Sequence, residues 1–130
     1  MKNLFFAITA IVYVFSVNAQ HLTIKHVKSF EFKELITKKE GTLLDVRTSY
    51  EFNSGHINDA IQINYYGFSF KQELLLLPKD KPVYIYCRTG YRSEKASKIL
   101  IENGYDVYNL QDGIKDWKRN KYPTIKDSGE

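Results

Sequence analysis

Short apolar runs alternate with amphipathic stretches from residue 24 to residue 117, and this alternation constrains the fold more than any other feature. Ile24 to Val27 reads as a first strand. Ser29 is then placed to cap a helix whose apolar face is Phe32, Leu35 and Ile36, with Gly41 stopping the helix. Thr42 to Val46 reads as a second strand, and Thr48-x-x-Glu51 is a capping box that opens a short helix. Ala60 to Ile63 is a third strand, followed by a helix over Phe68 to Leu77 that Pro78 ends. Val83-Tyr84-Ile85-Tyr86 is β-branched and aromatic throughout, as a central strand buried on both faces would be. A helix over Ser93 to Asn103 carries Ala96, Ile99 and Leu100 on one stripe and pairs Glu94 with Lys98 on the other, and Gly104 ends it. Asp106 to Asn109 is the last strand, and the last helix carries Ile114 and Trp117. Strands alternating with helices predict a single α/β domain built on a parallel five-stranded sheet.

The first nineteen residues are set apart from that domain. Met1-Lys2-Asn3 carries one positive charge, Leu4 to Phe15 is apolar except for Thr9, and small residues stand at Val17 and Ala19. This three-part pattern predicts a signal peptide over residues 1–19 and export to the periplasm or outside the cell. The apolar run is shorter than the roughly 20 residues of a membrane span, so no stable span is expected after processing. Cleavage after Ala19 leaves 111 of the 130 residues, residues 20–130, as the folded domain. That length buries enough surface to fold alone. The net charge of +4 falls to +3 when Lys2 is lost. The basic residues are scattered rather than striped along one element, so nucleic acid is not expected as a partner.

The chain has one cysteine, which excludes a disulfide framework and a multi-cysteine zinc site; no metal and no organic cofactor are expected. That cysteine, Cys87, is either an inert buried thiol or a reactive one. It stands where the central strand ends, and Cys87-Arg88-Thr89-Gly90-Tyr91-Arg92 joins it to the next helix. In an open parallel sheet, ligands bind beyond the carboxyl ends of strands. A loop this short must curl, which Gly90 permits, and a curled loop turns its N–H groups inward as an anion nest. The helix start aims its dipole at the same point. A sulfur held there between Arg88 and Arg92 favours thiolate over thiol. The same cradle suits a persulfide, and the two guanidinium groups suit the oxygens of an anionic sulfur donor.

On these residues the chain resembles the rhodanese family of sulfurtransferases. Cys87-Arg88-Thr89-Gly90-Tyr91-Arg92-Ser93 is similar to the family's Cys-Arg-x-Gly-x-Arg-Ser loop. Asp45-Val46-Arg47, Glu51-Phe52, Gly55-His56-Ile57 and Ala60-Ile61-x-Ile63-Asn64 follow the family order, and Leu110-x-x-Gly113, Trp117 and Tyr122-Pro123 match its closing segment. Two departures stand out. Asn58-Asp59 replaces the usual Pro-Gly, and Asp112 replaces the first glycine of the closing pair. The resemblance implies a central parallel sheet with helices on both faces and a persulfide-forming Cys87.

The implied activity is a thiosulfate sulfurtransferase. Sulfur would pass from thiosulfate, or a similar small-molecule donor, through Cys87 to cyanide or a thiol, with a protein sulfur acceptor also possible. Arg88, Thr89, Gly90, Tyr91 and Arg92 would bind the donor. Arg88 favours thiosulfate over mercaptopyruvate, whose enzymes carry smaller, less charged residues after the cysteine. Asp45, Arg47, Glu51 and His56 are expected to be structural near the site: a charged residue at a strand end is normally paired, and Glu51 has a capping task and is also placed to meet Arg47. His56 is expected at a turn rather than as a base. Tyr65, Tyr66 and Phe68 either wall the pocket or fill the core. Two alternatives compete. A persulfide carrier or redox or interaction module would use the same cleft without turnover. A cysteine phosphatase needs Cys-x5-Arg, and here the spacing is Cys-x4-Arg with Ser93 in the arginine's place.

Overall fold

Residues 22–127 are described by the structure, a computed structural model. The expected signal segment 1–19 lies outside them. The elements in chain order are β1 (Lys25–Val27), α1 (Ser29–Thr37), β2 (Thr42–Asp45), α2 (Ser49–Asn53), β3 (Ile61–Gln62), α3 (Phe70–Leu74), β4 (Val83–Tyr86), α4 (Tyr91–Glu102), β5 (Val107–Leu110) and α5 (Gly113–Arg119). The five strands form one sheet in the order β1-β5-β4-β2-β3, and every pair is parallel. This is the α/β sheet that the strand-helix alternation predicts.

Period-two alternation sends successive side chains of β4 to opposite faces. Val83 and Ile85 join Leu44, Leu74, Ala96, Leu100 and Val107 in the core under α3 and α4. Tyr84 and Tyr86 join Phe32, Leu110, Ile114 and Trp117 in the core under α1 and α5. All four residues of β4 are buried, as a central strand covered on both faces requires. Phe32 meets Tyr84, Tyr86 and Trp117 edge-on, each at a centroid distance of 6.4 Å. No helix among the described residues is long and apolar enough to cross a membrane.

Several element ends differ from the expectations, each for a local reason. Ser29 is not the cap of α1. The cap is Lys28, and the Ser29 hydroxyl donates instead to Asp116 on α5 at 2.7 Å, tying the two helices together. α3 begins at Phe70 rather than Phe68. Residues 65–69 form turns and a bend instead, with Tyr66 N–H donating to the Asn64 side chain, and Phe68 is fully exposed. α4 begins at Tyr91, two residues earlier than expected, because Gly90 takes a positive φ of 102° at its cap. The Thr48 capping box forms as expected, with Glu51 N–H donating to Thr48 Oγ1 and Thr48 N–H to the Glu51 carboxylate. Asp59 makes its turn with φ of 68°, which Asp tolerates better than most residues.

The connections from β2 and from β4 run outward in opposite directions, β2 toward β3 and β4 toward β5. The carboxyl ends of these two neighbouring strands therefore frame the crevice where an open parallel sheet binds ligands. Cys87 follows β4 directly, and the capped start of α2 follows β2.

Candidate active site

Four residues, Cys87 to Gly90, make the whole turn from β4 into α4. α5 holds that turn in place. Ile114 N–H donates to the Cys87 carbonyl at 2.9 Å, and Lys115 N–H to the Arg88 carbonyl at 3.0 Å. Such close approach leaves no room for a Cβ at two positions. A side chain at Gly90 would strike the Gln111 carbonyl, and one at Gly113 would strike the Arg88 carbonyl. Asp112, which stands where the family has a glycine, precedes this contact and caps α5 without disturbing it.

The Cys87 sulfur lies inside the turn and is 1% exposed as a residue. Burial alone suits an inert thiol. The donors around it do not. Gly90 N–H points at Sγ from 3.1 Å and Ser93 Oγ lies 3.3 Å away. Ser93 Oγ is also 3.1 Å from the Gly90 carbonyl, so its single proton has two acceptors to choose from. A negatively charged sulfur wins that proton, because hydrogen bonds to charged groups are the stronger ones. The first turn of α4 adds its positive dipole end at the same place. This arrangement brings two hydrogen-bond donors and a helix start onto the one sulfur.

Arg92 places its guanidinium within electrostatic range of Cys87 and is itself ion-paired. Its guanidinium forks onto Glu51, Nη1 to Oε2 at 2.8 Å and Nη2 to Oε1 at 2.7 Å. Glu51 also accepts from the Thr48 N–H at 3.0 Å and hydroxyl at 2.9 Å. Hydrogen bonding from Arg92, then from Thr48, pulls the Glu51 carboxyl down to about 2. The pair ties α4 to α2 across the crevice between β4 and β2. From the sequence, Glu51 is expected to meet Arg47. In the structure Arg92 and Glu51 take each other, and Arg47 takes Asp45.

That second pair is buried. Arg47 Nε lies 3.0 Å from both Asp45 carboxylate oxygens and Nη2 lies 2.7 Å from Oδ2. Nη2 also donates to the Gly55 carbonyl at 2.7 Å, so Asp45 and Arg47 lock the end of β2 to the turn after α2. His56 belongs to the same turn. Its ring stacks on Phe52 at 3.7 Å, its Nδ1 is 2.9 Å from the Phe52 carbonyl, and its backbone bridges Ile125. It makes no contact with the sulfur. Tyr86 supports this turn from β4, its hydroxyl accepting from Ile57 N–H at 3.0 Å, and burial pushes its phenol up.

Arg88, Thr89 and Tyr91 are exposed on the outside of the turn. Tyr91 packs against the Lys95 ammonium, 4.9 Å from its ring. Arg88 lines a cleft between α2 and α5. Of the three aromatics after β3, Tyr65 packs against Phe70, Tyr66 stands beside the Arg92 guanidinium, and Phe68 projects into solvent. Tyr65 packs against the core cluster that includes Cys87, and Tyr66 meets Arg92. The contribution absent from the expected site residues is the Ser93 hydroxyl. The signal for it was present in the last position of the loop motif, one helical turn after Gly90.

A family model described as a Rhodanese-like domain matches residues 30–120. A protein from Allochromatium vinosum named a sulfurtransferase is 36% identical over 98 residues, covering 75% of this chain and 90% of that protein. A tRNA uridine(34) hydroxylase from Cytophaga hutchinsonii is 40% identical over 94 residues, but the match spans only 30% of that protein's length. Among solved structures, a rhodanese-related protein from Thermoplasma volcanium superposes with a TM-score of 0.71 at 28% identity, over 78% of this chain and 97% of that one.

Proposed function

Because the chain belongs to the rhodanese-like family, we propose that it is a sulfurtransferase that carries a sulfane sulfur on Cys87, with thiosulfate as donor and a thiol or cyanide as acceptor. The observation that carries this reading is the pair of donors on one sulfur, Gly90 N–H at 3.1 Å and Ser93 Oγ at 3.3 Å. The Cys87 thiolate attacks the outer sulfur of thiosulfate. A new S–S bond forms, the S–S bond of thiosulfate breaks, and sulfite leaves with its electron pair. The turn then holds Cys87–S–S⁻, its inner sulfur being the one that Gly90 N–H and Ser93 Oγ contact. The acceptor attacks the outer sulfur, takes it, and returns Cys87 as thiolate. No proton need be removed by a base, which agrees with His56 standing elsewhere.

With Arg92 committed to Glu51, Arg88 is the guanidinium left to attract an oxyanion donor and the departing sulfite. Arg92 acts through the crevice instead, by holding α2 against the start of α4. The similarity to the Allochromatium vinosum sulfurtransferase supports the class of reaction over most of both chains.

Mass spectrometry after incubation with thiosulfate tests the reading. One added sulfur, about 32 Da, is expected on the peptide containing Cys87 and is removed by cyanide as thiocyanate. An unmodified but active protein, or activity that survives Cys87→Ser, overturns it.

A further inference from the structure

The Cys87 side chain lies on the α3/α4 side of the sheet, in the cluster that holds Phe70 and Ala96 and that Ile63 and Tyr65 pack against. The first turn of α4 brings Arg92 within range of that sulfur. Its guanidinium is held up chiefly by its hydrogen bonds to Glu51, with a smaller contribution from Cys87. Both ends of the guanidinium fork are committed to the two Glu51 oxygens, and the Tyr66 ring stands 5.7 Å from it. Only 13% of the Arg92 side chain and 25% of the Glu51 side chain are exposed, so water screens this pair less than a surface pair. Glu51 stays in place for a second reason, since it also accepts from the Thr48 N–H and hydroxyl at 3.0 and 2.9 Å. Arg47 is likewise committed to Asp45, whereas Arg88 has no ion-pair partner among the described residues. Of the two arginines flanking the turn, one presents its full charge and the other is cancelled.

We infer that Glu51 sets the charge preference of the site: by cancelling Arg92 it weakens the hold on a dianionic sulfur donor and shifts the chain toward donors of lower charge. This rests on the sulfurtransferase reading above. Glu51 touches neither donor nor sulfur; it acts through Arg92, as a positioning residue. Two donors of one chemistry separate the cases. Thiosulfate carries two negative charges and releases sulfite, and methanethiosulfonate carries one and releases methanesulfinate. With either, the Cys87 thiolate attacks the outer sulfur, an S–S bond to Cys87 forms, the donor's S–S bond breaks, and the leaving group departs with its electron pair. Coulomb energy scales with the product of the charges, so a change of charge at residue 51 or 92 acts more strongly on the dianion.

The test is the ratio of kcat/KM for thiosulfate over methanethiosulfonate, measured on the full chain with cyanide as acceptor. Loosening the contact between α2 and α4 lowers both values and leaves the ratio alone, whereas a changed charge moves the ratio. Glu51→Gln keeps an oxygen for the Thr48 N–H and removes the charge, and it is expected to raise the ratio about threefold or more. Arg92→Gln leaves Glu51 uncancelled and is expected to lower the ratio by a similar factor. The double variant, neutral at both positions, is expected to restore the parent's ratio, and Glu51→Asp, which keeps the charge, to leave it near the parent's. The gain in Glu51→Gln is expected to shrink between about 0.01 M and about 0.15 M salt, as the screening length falls from about 30 Å to about 8 Å. A ratio that Glu51→Gln does not move, or that Glu51→Asp raises equally, overturns the inference and leaves the sulfurtransferase reading standing. Failure of both donors to add sulfur to Cys87 overturns that reading and takes the inference with it.

Discussion

Ser93 decides how well the turn holds a negative sulfur. Its hydroxyl lies within reach of both Sγ and the Gly90 carbonyl, and it is itself completely buried, so no water substitutes for it. Ser97 fixes its backbone by donating to the Ser93 carbonyl at 2.6 Å. Ser93→Ala removes one of the two donors seen on the sulfur and leaves the Gly90 N–H alone. A hydrogen bond to a charged group contributes about 1.5–3 kcal/mol, so persulfide formation from thiosulfate is expected to slow roughly 10- to 100-fold. Single-turnover release of sulfite measures it, with thermal unfolding as the check that the variant is folded. A rate within twofold of the parent would remove Ser93 from the site.

At the scale of elements, the site is a junction of three pieces of chain: the turn after β4, the start of α5 pressed against it, and α2 clamped to α4 by Glu51 and Arg92. Gly90 serves the first contact. Its φ of 102° is strained for any side chain, and a Cβ there meets the Gln111 backbone, which cannot swing away. Gly90→Ala is expected to lower stability by about 1–3 kcal/mol and to impair persulfide formation as the turn shifts. Denaturant unfolding and the thiosulfate mass shift measure the two effects; a full-strength mass shift in a parent-stable variant would refute the close packing. The clamp has a pH signature. The folded Glu51 carboxyl is held at about 2, below the usual carboxylate range, so its contribution is fully present above about pH 4.5 and is lost as the pH falls toward 2. Glu51→Gln is expected to flatten stability against pH over that window, and an unchanged acid limb would show that the pair contributes nothing there.

Which of these contacts the sequence disclosed follows from their range. The capping box at Thr48 and Glu51 is local, three residues apart, and was legible. So was the central strand, because four consecutive β-branched and aromatic residues have few other places to go. The Arg92–Glu51 pair joins residues forty-one apart, and sequence alone offers Glu51 the nearer Arg47 instead. The early start of α4 was hidden because Gly90 looks like a loop residue until its left-handed backbone is seen capping the helix. Ser29 shows the opposite case. It has the composition of a cap, but a carboxylate eighty-seven residues away, Asp116, offers its hydroxyl a better partner.

For the whole molecule, one thin sheet serves two cores. β4 gives Val83 and Ile85 to the face under α3 and α4, and Tyr84 and Tyr86 to the face under α1 and α5. Neither face can lose its packing without releasing the strand that the other face needs, so the two cores are expected to unfold as one unit. The single tryptophan, Trp117, reports on the α1/α5 face, where it packs against Phe32 and Tyr122 and donates to the Pro123 carbonyl at 3.0 Å. Leu100 is fully buried on the opposite face. Leu100→Ala leaves a cavity there and is expected to cost about 2–5 kcal/mol, a large part of the roughly 5–15 kcal/mol that holds a domain folded. The Trp117 fluorescence midpoint should then fall by the same number of degrees as the far-ultraviolet circular dichroism midpoint, although the mutation touches nothing near the indole. Two separated transitions would mean that the faces melt independently, and that the turn bearing Cys87, pinned from the α5 side, can outlast the helix that donates Ser93.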